Sequence, residues 1–202
     1  MFVYLGLSLA SHFLYNVQDV AGLTCVESID AKKLENAGWA GEKKDKDGQP
    51  IIATATSTFA ISELCHPTKI LLEKGVRYHV EVGAKPEDSW KDGDIPVPVG
   101  GFWANNPPLW YHRILLGLGV PLRRELTQDW FRIVLRYGRV GGQEEFLDPD
   151  PEDSKIEASI KPNRDGELFI FVNDAVIGVP WLYNFFYRNN GGGGTLTVTR
   201  KY

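Results

Sequence analysis

The stretch "ELFIFVND", residues 167–174, is the clearest strand in the chain. Its positions from Leu168 to Val172 are all apolar, so both faces of such a strand must be covered. It ends on Asn173 and Asp174, residue types that favour a turn. The pattern therefore predicts a strand at the centre of a sheet, with a polar turn at one end of that sheet.

Further strands lie on both sides of this stretch. Residues 77–83, 131–138 and 195–202 alternate apolar and polar side chains with period two, and residues 51–61 are rich in β-branched types. Glycine and proline are frequent, with 21 and 12 residues, while long runs of helix-forming residues are scarce. We therefore expect an all-β fold in which residues 20–202 form a single antiparallel β-sandwich domain.

The first 19 residues form a hydrophobic segment of a different character. "MFVYLGLSLASHFLY" is too short for the roughly 20 residues that cross a bilayer. It lacks a basic start, although Ser8-Leu9-Ala10 has the spacing of a signal-peptide cleavage site. The end of a transmembrane helix, a weak signal peptide and an ordinary short buried helix are three alternatives. Either of the first two places the domain outside the cytosol, in the periplasm or cell envelope, and we expect a membrane anchor through residues 1–19.

Composition and motifs exclude several classes of function. The chain has 202 residues, is 43% hydrophobic and carries a net charge of −4 with both signs interspersed, so no basic surface is expected for nucleic acid. No Gly-x-Ser-x-Gly turn, His-Glu-x-x-His helix, P-loop or dinucleotide fingerprint occurs, and the four histidines are scattered. The sequence predicts neither an enzyme nor a nucleic-acid-binding protein.

The two cysteines, Cys25 and Cys65, lie outside any Cys-x-x-Cys or metal-ligand spacing. A bridge between them would close a loop that contains the charged segment 41–50, which cannot order itself by burial. We expect a disulfide. The alternative is a pair of reduced, buried thiols.

Two segments, residues 102–118 and 175–187, are rich in aromatic and aliphatic side chains but show no strand period. One interpretation is that they pack on each other as a lid over one end of the sandwich. The other is that they dock on a membrane surface or on a parent or partner domain, since Trp and Tyr favour such interfaces. We expect Phe186 and Tyr187 to be buried. The candidate docking residues are Trp103, Trp110, Tyr111, Val179, Trp181, Leu182 and Phe185.

The order of four stretches resembles a known family. They are "GVRYHVEVGAKPEDSWKDGD" (75–94), "WFRIVLRYGRVGGQEEFL" (130–147), "DGELFIFVND" (165–174) and "YRNNGGGGTLTVT" (187–199). Over roughly residues 70–202 this order is similar to the galactose-binding-like β-sandwich of the LecA-like soluble bacterial lectins. The resemblance implies a jelly-roll sandwich.

The same resemblance implies calcium-dependent carbohydrate binding, with Asp174, Asn189 and Asn190 as metal ligands and backbone carbonyls completing the shell. Oxygen ligands of this kind suit Ca²⁺. In the family the segment between the aspartate and the asparagine pair is short and polar, whereas here fourteen mostly apolar residues intervene. We therefore expect this segment to displace the ligands and to leave lectin activity weak or absent. Asn-Asp and Asn-Asn-Gly are also ordinary turn formers.

Taken together, these patterns predict a non-catalytic, extracytoplasmic binding module, the C-terminal part of a larger membrane-anchored bacterial protein. No cofactor is expected other than calcium. The alternative is a calcium-dependent carbohydrate-binding domain.

Overall fold

The computed structural model describes residues 2–26, 40–44, 50–83, 90–99, 101–102, 110–148 and 155–201. It consists mostly of antiparallel β-sheet, with 40% strand and 23% helix. The predicted β architecture is confirmed at this level, although helices take a larger share than the sequence patterns indicate.

The described strands form three antiparallel sheets. The largest has the order β1 (Ala40–Lys44), β2 (Pro50–Ala60), β12 (Gly193–Lys201), β4 (Tyr78–Gly83), β9 (Lys155–Ile160). The second has the order β3 (His66–Leu72), β10 (Gly166–Val172), β7 (Ile133–Tyr137), β8 (Gln143–Phe146). A small third sheet has the order β11 (Asn190–Gly191), β5 (Lys91–Asp92), β6 (Ile95–Pro96).

The two larger sheets share one hydrophobic core. Alternate residues of β4 and β12, such as Val80 and Val198, pack in the same cluster as Leu135 of β7 and Ile170 of β10. Period-two alternation in these strands arises because one face of each sheet points into this core. The arrangement is consistent with a β-sandwich.

The second sheet is also covered on its outer face. Phe169 and Phe171 of β10 alternate with the residues that face the shared core, yet both are buried. The guanidinium carbon of Arg124 lies 3.4 Å from the ring centroid of Phe171, so the chain around residue 124 covers this face. This second layer explains why Leu168 to Val172 are apolar without interruption.

Two helices complete the described structure. Helix α1 (Phe2–Val20) is 19 residues long, and its Tyr15 is fully buried in the core, so the end of α1 packs as part of the sandwich. Helix α2 (Trp110–Gly119) forms within the aromatic segment that shows no strand period. No helix in the described ranges combines the length and the apolarity needed to cross a membrane.

The expected disulfide between Cys25 and Cys65 is confirmed. It joins the turn after α1 to the connection between β2 and β3, across 40 residues of sequence.

Candidate functional site

Helix α1, helix α2 and the loop of residues 176–188 meet side by side. The Tyr4 hydroxyl of α1 donates to the Leu118 carbonyl of α2. The Gly178 amide of the loop donates to the Ser11 hydroxyl over 2.9 Å, and the Tyr183 hydroxyl donates to the side chain of Gln18. These bonds hold three elements that are distant in sequence together.

Apolar side chains of these three elements are exposed to solvent. We call them the apolar surface; its members are Val3, Leu7, Phe13, Trp110, Tyr111, Ile114, Leu115, Leu118, Val179, Trp181 and Phe185. Apolar surface of this extent on three joined elements is typical of an interaction site rather than of scattered surface residues.

The structure places most of the predicted docking residues on this surface. Trp110, Tyr111, Val179, Trp181 and Phe185 are exposed, and Leu182 is half-buried. Trp103 lies outside the described residues. As expected, Tyr187 is buried, and Phe186 packs partly against the core.

Sequence reasoning did not assign α1 to this surface. The signal was present, because residues 2–18 contain no Asp, Glu, Lys or Arg. A helix that packs on the surface of a domain normally has a charged or polar face toward water.

Trp181 is the most unusual residue of the loop. Its side chain is 79% exposed, and its backbone adopts a φ of +62°. A bulky residue in the left-handed region costs roughly 1–2 kcal/mol, which glycine would avoid. Neither burial nor backbone preference therefore explains a tryptophan at this position.

A second candidate site lies where the 176–188 loop begins and ends. We call it the polar cluster, formed by Asp92, Asp174, Asn189 and Asn190. Asn190 Nδ2 donates to Asp174 Oδ2 over 2.8 Å, and Asn189 Nδ2 donates to Asp92 Oδ1 over 2.7 Å. The expectation that the long segment would carry Asp174 away from the asparagine pair is therefore wrong for Asn190, while Asn189 faces Asp92 instead.

Local contacts explain why the loop returns to Asp174. Tyr187 is buried, and its hydroxyl donates to the Val172 carbonyl over 2.6 Å, which fixes the returning chain beside the strand it left. Asn190 then pairs with Asp92 between β11 and β5. At Gly193 a Cβ atom would lie 2.2 Å from the Phe59 carbonyl oxygen, so only glycine allows the close approach to β2.

The polar cluster contains buried carboxyl and amide groups whose charges and hydrogen bonds are not fully compensated. Burial raises the pKa of Asp174 to about 7, and the charge of Asp92 adds to this rise. Burial also raises the pKa of Asp92, against the hydrogen bond from Asn189. Asn190 is only 7% exposed, and its buried Oδ1 atom has no hydrogen-bond partner among the residues that the structure describes. Orphaned buried acceptors of this kind are rare and call for an explanation.

The donor set suits a hard cation such as Ca²⁺. The carboxylates of Asp92 and Asp174 and the amide oxygens of Asn189 and Asn190 are all oxygen ligands, and a cation would satisfy the orphaned Oδ1 and favour ionised carboxylates. Within the described ranges, no three His, Cys, Asp or Glu side chains form a metal-binding group, so amides and carbonyls would have to supply part of the shell.

One residue of this site was not predicted from the sequence. Asp92 was missed, although it lies in the "WKDGD" stretch of the family resemblance. Asn173, next to Asp174, has a structural role: its Nδ2 donates to the Glu125 carbonyl over 3.0 Å, and its Oδ1 accepts from the Glu125 amide over 2.8 Å.

A buried ion cluster fixes the C-terminal end of α1; the name denotes Asp19, Arg124 and Arg136. Arg124 Nη2 donates to Asp19 Oδ1 over 2.9 Å, and Arg136 Nη1 donates to Asp19 Oδ2. The two arginine side chains are 1% and 2% exposed. Burial alone would raise the pKa of Asp19, but both guanidinium groups outweigh it and lower that pKa, so the carboxylate stays ionised.

Beside the ion cluster, Glu125 and Glu144 form a carboxyl pair. Burial raises the pKa of Glu125 to about 7, and the nearby charge of Glu144 raises it further, while Arg124 opposes the rise. Two carboxylates this close do not ionise together readily.

Comparison of the chain with protein-family models, with curated proteins and with solved structures gave no match. The LecA-like resemblance therefore stays a prediction. Function is inferred below from the apolar surface and the polar cluster.

Proposed function

We propose that this chain is a non-catalytic, extracytoplasmic, membrane-associated binding module with a galactose-binding-like jelly-roll sandwich fold. It docks through the apolar surface on a membrane or on a parent or partner domain. The observation that carries this proposal is Trp181, which is exposed and held in a strained backbone conformation. Strained, exposed residues of this kind often lie at functional sites.

The energetics favour docking. Removing a tryptophan side chain from water contributes roughly 2–3 kcal/mol, so covering a few residues of the apolar surface can hold a complex together. The same residues contribute little to folding while they face solvent. Their exposure is explained if an apolar phase or protein covers them.

The disulfide supports an extracytoplasmic location, because such bridges form and persist in oxidising compartments.

Vesicle co-sedimentation and sedimentation velocity test the docking function. We expect the protein to associate with phosphatidylcholine vesicles, and Trp181→Ala and Val179→Asp to weaken this association at least fivefold, because both remove apolar contact area. Val140→Asp is the matched control, since Val140 is exposed but belongs to the turn after β7. A wild-type protein that neither binds vesicles nor self-associates would contradict docking on a membrane or on a second copy and would leave a parent domain as the partner.

Calcium-dependent carbohydrate binding at the polar cluster is a second candidate. The observation in its favour is the convergence of Asp174 and Asn190 around a buried, unpartnered carbonyl oxygen. Bound calcium would supply coordination for sugar hydroxyls, as the LecA-like resemblance implies.

Calorimetry separates this candidate from a structural role. If calcium binds, the protein should take it up with micromolar affinity, Asp174→Asn should abolish the heat, and Asp148→Asn, an exposed carboxylate elsewhere, should not. Galactosides added afterwards would report sugar binding, which we expect to be weak because of the long loop. No heat with millimolar calcium would eliminate this candidate.

A further inference from the structure

The charge distribution of the apolar surface differs from that of the rest of the protein. Residues 2–18, 110–122 and 176–188 contain none of the 26 acidic residues, although the chain as a whole has a net charge of −4. Their charged side chains are Arg113 and Arg188, and both are exposed. The three elements thus present apolar groups with positive charge only.

The aromatic residues on this surface suit a boundary between water and an apolar phase. Trp110, Tyr111 and Trp181 each combine a large apolar ring with one polar atom, and all three are exposed. Such rings are favoured at the headgroup level of bilayers, where both parts of the side chain are satisfied. Arginine beside them keeps its charge among headgroups while its methylenes lie against apolar groups.

A second copy of the chain fits this surface poorly. Two-fold association would bring the same three stretches of both copies together. Arg188 of each copy would then lie at an interface to which these stretches contribute no acidic side chain, so they would not compensate the cost of removing its charge from water.

We propose that the apolar surface binds the interface of a bilayer containing anionic lipids, with Trp181 among the acyl chains and Arg113 and Arg188 at the headgroups. This inference rests on the proposed docking function and names its partner. Apolar insertion combined with attraction of basic side chains to anionic headgroups is the usual basis of interfacial binding.

Co-sedimentation with two kinds of vesicle tests the proposal. One kind is pure phosphatidylcholine, and the other contains about 30% phosphatidylglycerol. We expect roughly tenfold tighter binding to the anionic vesicles, because each basic residue near an anionic surface adds about fivefold before screening by salt. The preference should disappear at about 1 M salt.

Variants without the arginine charges test the role of the two basic side chains. Arg113→Gln with Arg188→Gln should remove the preference for anionic vesicles and leave binding to phosphatidylcholine unchanged. Lys74→Gln with Arg77→Gln is the matched control, since both residues are exposed in the turn between β3 and β4, and should keep the preference. Trp181→Ala should weaken binding to both kinds of vesicle. Circular dichroism confirms that every variant is folded.

The outcomes distinguish this inference from the docking function. Equal binding to both kinds of vesicle, or anionic binding that Trp181→Ala leaves unchanged, would overturn the inference. Self-association without vesicle binding would also overturn it, and would assign the surface to a second copy while the docking function stands. A protein that neither binds vesicles nor self-associates would overturn this inference and would restrict the docking function to a parent domain.

Discussion

The two ends of helix α1 have opposite environments. At its C-terminal end, Asp19 is buried with two arginines, while at its N-terminal end Val3 and Leu7 face water. Charges lie inside and apolar groups outside, the reverse of the usual distribution. The ion cluster fixes one end of the helix to the sandwich. The other end therefore contributes little to folding and remains available for binding.

The largest effect is expected at the ion cluster. Asp19→Asn removes the carboxylate shared by Arg124 and Arg136 and leaves two guanidinium groups buried without a counter-charge, so we expect a loss of about 3–5 kcal/mol in the free energy of unfolding. Urea denaturation measures it. The lowered pKa of Asp19 means that its contribution is present above the unfolded-state pKa, near 4, and lost as the pH falls below it.

Asp148→Asn is the control for this substitution, because Asp148 pairs with Arg132 while almost fully exposed, and should change stability by less than about 1 kcal/mol. Similar small losses in both variants would show that the ion cluster does not anchor the helix.

The disulfide fixes the same end of α1, and its removal should have the second-largest effect on stability. Replacing Cys25 and Cys65 together by serine removes a cross-link over 40 residues, and we expect a loss of about 2–4 kcal/mol. Thermal unfolding of the double variant beside the wild type measures it. Two free thiols in the unfolded, unreduced wild type would contradict the bridge itself.

A smaller, pH-dependent effect is expected at Glu125. Its folded pKa of about 7 lies above the unfolded value of about 4.5, so stability is fully present below pH 4.5 and is lost as the pH rises to about 7. The loss should be about 2 kcal/mol, since each pKa unit is worth roughly 1.4 kcal/mol and partial exposure reduces it.

Glu125→Gln should reduce this slope in a series of urea titrations between pH 4.5 and 8 and leave the part that the raised pKa of Asp174 contributes. Glu157→Gln, at an exposed position of β9, should retain it. An unchanged slope in the Glu125 variant would show that another group is responsible.

The smallest effect is expected on the apolar surface. Trp181→Ala should lower stability by less than about 1 kcal/mol, because the side chain is exposed. Trp181→Gly should be at least as stable as the alanine variant, since glycine tolerates a φ of +62°. Chemical denaturation of both variants measures this, and a loss of 3–5 kcal/mol in either would identify the loop as core.

The sequence predicted several of the strands whose pattern repeats but missed others, such as β9, in which Ile156, Ala158 and Ile160 alternate with polar residues. The alternation in β4 and β12 and the apolar run of β10 were readable. Strand β3 was missed, because Pro67 and the left-handed Lys69 disturb its period. Helix α2 was missed because its exposed face is apolar as well as the face on which Leu116 is buried, so the segment has no single apolar stripe.

The residues of the candidate sites were also predicted only in part. The family resemblance pointed to Asp174 and Asn190, but not to Asp92, whose position depends on the pairing of two two-residue strands distant in sequence. The ion cluster was not predicted. Arg136 occupies a polar position in an alternating strand, and such a pattern does not distinguish water from a buried carboxylate as the partner.

Gly178 lies where the loop packs against α1, and no larger residue fits at this position. A Cβ atom at this position would lie 2.0 Å from the Ser11 carbonyl oxygen, so any side chain would force helix and loop apart. Three residues further on, Trp181 points into open solvent. Substitutions at the exposed positions Val179, Trp181 and Phe185 can therefore change what the surface recognises, while Gly178 and Tyr183 keep the loop oriented on α1. These three positions are suitable for introducing new specificity on an unchanged scaffold.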